Sequence, residues 1–72
     1  MRLLQFTSYD IGAHEDTLVA IPAHKVCMVH PVRHSTTEGI KAAIHIDGGH
    51  RVEVKDSYED VIMKLTFQGE NE

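Results

Sequence analysis

The clearest pattern in the chain is the alternation of apolar and polar positions through residues 40–55, IKAAIHIDGGHRVEVK, which turns on an Asp-Gly-Gly step. Period two on both sides of a glycine turn predicts a β-hairpin. Its register follows because directly opposed residues share a sheet face. A two-residue Gly48-Gly49 loop would set Ile46 against Arg51 and His45 against Val52, mixing the faces. A three-residue loop, Asp47-Gly48-Gly49, sets Ile46 opposite His50, Ile44 opposite Val52 and Ala42 opposite Val54, with His45–Arg51 and Ala43–Glu53 on the other face. That register keeps one face nearly apolar, and glycine supplies the left-handed residue that three-residue loops need.

Upstream, Lys25 to Val32 also alternates, with Val26, Met28 and Val32 on one side and Cys27 and Val29 on the other. Both sides are apolar, which predicts a strand covered on both faces. Leu18 to Ile21 is a further apolar run, and Met1 to Thr7 supplies a first strand. Pro22 cannot donate to a central ladder, so Pro22-Ala23-His24 predicts a strand break. The polar segments Ser8 to Thr17 and Arg33 to Gly39 have turn composition and are expected to be loops. After Lys55 the period lengthens: Tyr58, Val61, Ile62 and Leu65 recur as on one helix face. Ser57 is the expected N-cap, with Asp60 three residues on in a weak capping box. Glu59 and Asp60 near the start and Lys64 near the end suit the helix dipole. The helix is expected from Ser57 to about Phe67, with residues 69–72 frayed. Together these elements predict one α+β domain over residues 1–72, a small curved antiparallel sheet of about five strands with one C-terminal helix.

The strand, proline turn and strand of Leu18-Val19-Ala20-Ile21-Pro22-Ala23-His24-Lys25-Val26 resemble those of the small flagellar and swarming-motility protein family. The turn, strand, capped helix start and apolar helix from Asp47-Gly48 through Val52 to Leu65 are similar to that family as well. The same layout, over residues 18–65, also looks like part of the LytTR-type DNA-binding domain, in which a short helix follows a hairpin. Neither resemblance implies a catalytic residue.

Size sharpens the question of what stabilises such a fold. A 72-residue chain buries only about 60% of the surface its unfolded form exposes, and small folds commonly add disulfides, a metal or self-association. Cys27 is the only cysteine, so no internal disulfide forms, and an unpaired thiol suits a reducing, cytoplasmic setting. Apolar runs are too short for a membrane-spanning helix, and the N-terminus lacks the pattern of a signal peptide. The net charge of −4 gives no field to draw in nucleic acid.

Six histidines, His14, His24, His30, His34, His45 and His50, are the main compositional oddity. They match no recognised metal motif. His14 and His34 are expected in loops, His45 exposed beside Arg51, and His50 opposite Ile46. No metal or cofactor is therefore expected; were a metal bound, His24 and His30, of equal parity on an unbroken strand, would be the candidate ligands. The apolar neighbours of Cys27 predict a buried, inert thiol, and Glu59 and Asp60 do not share a helix face. Arg33, Lys41, Arg51 and Lys55 form a weakly basic strip without interleaved aromatics. The sequence thus reads as a small non-catalytic protein that self-associates and binds a macromolecular partner as an accessory or regulatory module. Its second apolar face on Lys25 to Val32, carrying Cys27 and Val29, is the expected interface. The alternatives are a nucleic-acid-binding regulator using the four cations, and a histidine-based metal-binding protein or enzyme.

Overall fold

The hairpin at residues 40–55 forms in the register its alternation demands. In a computed structural model, which describes residues 3–35 and 39–70 and side chains as far as residue 66, Ile46 opposes His50, His45 Arg51, Ile44 Val52, Ala43 Glu53 and Ala42 Val54. The turn closes with Gly49 N–H donating to the Ile46 carbonyl at 3.2 Å. Gly48 and Gly49 take φ of 98° and 88°, where a Cβ would be strained.

Around this hairpin the described residues form five antiparallel strands and one helix: β1 (Leu3–Asp10), β2 (Glu15–Pro22), β3 (Val26–Pro31), β4 (Ala42–Ile46), β5 (His50–Val54) and α1 (Tyr58–Glu70), with a 3-10 turn at Ala23–Lys25 between β2 and β3. The class is α+β. The single sheet expected from the sequence is instead two, β1-β2 and β3-β4-β5. They are joined at a polar corner rather than by a continuous ladder. There the Lys55 amide donates to the Thr7 carbonyl at 2.6 Å, the Thr7 amide donates to Asp56 Oδ1 at 2.8 Å, and the Ser8 hydroxyl donates to the Glu53 carbonyl at 2.7 Å. Lys64 ties the helix to the same corner through Asp56 Oδ2 at 3.3 Å and the Gln5 carbonyl at 2.6 Å.

Three sequence expectations are corrected. Most of Ser8 to Thr17 is not loop: β1 and β2 pair from Leu3–Pro22 out to Asp10–Glu15, leaving only residues 11–14 as the turn. Asp10 Oδ1 closes that turn by accepting from the Gly12 and Ala13 amides at 2.9 and 3.3 Å, and His14 takes the left-handed φ of 55°. The distal hairpin is largely exposed, so its strands need no apolar face for their backbone ladder to form. The second correction concerns β3, where a bulge between Val26 and Met28 shifts the register. Val26 opposes Ile46 and Val29 opposes Ile44, so both turn to the core, while Met28 and His30 point outward. Val29 therefore packs against its own core rather than standing with Cys27 on an opposite face, and Cys27 is exposed rather than buried. The third lies at the C-terminus, where the helix runs to Glu70 through two of the four residues expected to fray. Residues 71 and 72, and the side chain of Phe67, lie outside the described residues.

The core sits between the two sheets and the helix. Leu4 and Phe6 of β1, Ile21 of β2, Ala42 and Ile44 of β4, Val54 of β5 and Val61 of α1 are fully or almost fully buried in one cluster, with Leu65 half-buried against it. Alternation explains each choice, because Leu4–Ile21 and Phe6–Val19 are directly opposed pairs on one face of the first hairpin. Ser57 caps the helix as expected, its Oγ accepting from the Asp60 amide at 3.1 Å.

Candidate functional site

Two surfaces stand out once the core is assigned. The first is the outer face of β3-β4-β5, built by strand parity: Met28, His45 and Arg51 form one cross-strand row, and His30, Ala43 and Glu53 the next. His30 and His45 meet diagonally across these rows, Nε2 to Nε2 at 3.0 Å, with ring centroids 5.1 Å apart and planes inclined by 33°. His30 Nδ1 lies 3.1 Å from the Pro31 carbonyl. A carbonyl only accepts, so a hydrogen bond there places a proton on Nδ1; in a neutral ring Nε2 then carries the lone pair and takes the Nε2–H of His45. On the same face Arg51 Nη2 pairs with Glu53 Oε2 at 3.0 Å.

The second surface is the β1-β2 hairpin. Its outward row carries Leu3, Leu18 and Ala20, with Leu18 69% and Leu3 53% exposed. Strand β2 has β1 as its only strand partner among the described residues. Between this hairpin and β5 lies an open cleft of about 260 Å³ lined by Ser8, Tyr9, Ile11, Ile40, Arg51, Val52 and Glu53. The Ser8 hydroxyl there is committed to the Glu53 carbonyl, and no histidine or cysteine lines the cleft to serve as its base or as a second nucleophile.

The residues singled out from the sequence fall as follows. His24 lies exposed in the 3-10 turn rather than on β3, so the unbroken strand that would align it with His30 does not exist; the neighbour of His30 is His45. Among the described residues no three of His, Cys, Asp and Glu converge. His14, His34 and His50 are exposed. Of the four candidate phosphate-binding cations, Arg51 is held by Glu53 and Lys55 pairs with Asp16 while lying 5.0 Å from the Tyr9 ring centroid; Arg33 and Lys41 are exposed. No helix among the described residues is long and apolar enough to cross a membrane. Comparison with protein-family models, with curated proteins and with solved structures finds no match for the chain.

Sequence reasoning missed the histidine pair because the partner of His30 depends on the β3–β4 register. Alternation did place His45 on the outer face beside Arg51, which is half of the signal. The other half lies across the segment between Pro31 and Ala42 and is not a local property of the chain.

Proposed function

We propose that this chain is a small, non-catalytic, self-associating protein that acts as an accessory or regulatory module by binding a macromolecular partner. The observation that carries the reading is strand β2, an edge strand that confines its charges, Glu15 and Asp16, and its proline, Pro22, to its ends and leaves its interior, Leu18 to Ile21, without either. Edge strands normally carry such devices because an unpaired row of backbone donors and acceptors is a template for another strand. Leu18 and Ala20 extend the row sideways into an apolar strip, so a second copy of β2 laid antiparallel about a two-fold axis would satisfy the backbone and cover the side chains together.

The nucleic-acid reading has less support, because two of its four cations are occupied by the protein's own carboxylates and the net charge is −4. An exposed thiol at Cys27 favours a reducing compartment such as the cytoplasm. Light scattering across a concentration series tests the reading. The native chain is expected to reach a mass above 8.1 kDa at micromolar concentration, and Leu18→Lys, placing charge on an already exposed position, is expected to remain folded and monomeric. A native protein that stays monomeric, or a Leu18→Lys variant that assembles as the native chain does, overturns it.

A further inference from the structure

We propose that His30 and His45 form a two-imidazole chelate for a divalent transition-metal ion, with copper(II) or nickel(II) the best geometric match. Three observations converge on this pair. The two Nε2 atoms already point at one another 3.0 Å apart. A metal–imidazole bond of about 2.0–2.1 Å places two nitrogens about 2.9 Å apart when they subtend a right angle, and about 3.3 Å apart at a tetrahedral angle. The separation held by the hydrogen bond is thus that of neighbouring ligands in the tetragonal geometry that copper(II) and nickel(II) favour among N-donor sites.

The second observation is orientation. His30 donates Nδ1–H to the Pro31 carbonyl, the outer-shell arrangement that fixes the tautomer of a metal-ligating imidazole and frees its Nε2. His45 has to change tautomer, its proton moving from Nε2 to Nδ1 through solvent, and both rings have to tilt, because the N–H···N bond aims the two Nε2 atoms along the line between them whereas an ion bound by both lies off that line. Third, the pair stands on paired strands rather than on loops. Val29–Ile44 and His30–Ala43 are in register, and Ala43, on β4 opposite His30 and two residues from His45, is fully buried, so the backbone beneath both imidazoles is fixed before an ion arrives. The nearest fixed cation in the register, Arg51, is paired with Glu53, which reduces its repulsion of the ion. Both rings are half-buried rather than enclosed, so water or a ligand group from another molecule fills the remaining coordination positions.

Titration calorimetry of the full chain with copper(II) chloride and with nickel(II) chloride, in a weakly coordinating buffer, tests the site. One ion per chain is expected, with binding lost in both His30→Ala and His45→Ala and kept in His24→Ala and His50→Ala, which change histidines outside the pair. Electron paramagnetic resonance of the copper-loaded native chain is expected to show hyperfine splitting from two equivalent imidazole nitrogens, a readout that no variant's folding can confound. Absence of saturable one-to-one binding, retention of it in either His30→Ala or His45→Ala, loss of it in a control variant, or a copper spectrum without the two-nitrogen pattern overturns the proposal.

Discussion

Replacing Asp56 by alanine removes the side chain that holds the two sheets and the helix at one corner. Its Oδ1 accepts from the Thr7 amide at 2.8 Å, and its Oδ2 lies 3.3 Å from Lys64 Nζ. A hydrogen bond to a charged acceptor contributes about 1.5–3 kcal/mol, while the lysine pair, with Lys64 35% exposed, adds no more than about 0.5 kcal/mol after solvent screening. The change leaves an amide of β1 without its acceptor beside the backbone bond from Lys55 to Thr7, the one that links the sheets among the described residues. Asp56→Ala is therefore expected to cost about 2–3 kcal/mol, a shift in melting temperature on the order of 10–20 °C for a domain of this size. Asp56→Asn keeps an oxygen for the Thr7 amide and removes only the charge, so about 1 kcal/mol is expected. Urea denaturation followed by circular dichroism measures both at constant chain concentration, which fixes any contribution from assembly. Hydrogen exchange at Thr7 and Lys55 reports the corner directly and should accelerate more than exchange in the β4–β5 hairpin. A loss within about 0.5 kcal/mol, the range of ordinary surface substitutions, would refute the assignment of this corner as the joint between the sheets.

Neighbouring positions on β3 should respond in opposite ways: Val29→Glu puts a charge against the core and is expected to unfold the domain, whereas Met28→Glu, on a side chain 52% exposed, should leave the melting temperature within a few degrees. Equal sensitivity of the two in a thermal melt would mean the bulge is misplaced. In the β4–β5 turn, Gly49 has open space for a methyl group but a φ of 88°, so Gly49→Ala should cost about 1–2 kcal/mol in urea denaturation purely through the backbone.

What could be read from the chain alone were the features whose causes are local. The β4–β5 register is decided by a three-residue turn and ten flanking side chains, so face matching was enough to settle it. The helix was legible because Ser57 caps it and Val61 and Leu65 mark its buried stripe, although its end was not, since Gly69 disfavours a helix without forbidding it. The resemblances suggested by residues 18–65 rest on these same local features. The pairing of Ser8 to Asp10 with Glu15 to Thr17 was hidden because polar residues in an exposed hairpin carry no alternation. Division into two sheets was hidden for a related reason: the joint uses the side chains of Asp56 and Ser8 and a backbone bond, and nothing in an aspartate following a strand announces that it will accept from an amide 49 positions away in the chain. The bulge at Cys27 had the largest consequence. One extra residue exchanges the faces of everything beyond it, which carried Val29 into the core and turned His30 outward. Only the pairing of β3 with β4 determined that His30 would stand against His45, in a register that buries Val26 and Val29 beside Ile46 and Ile44.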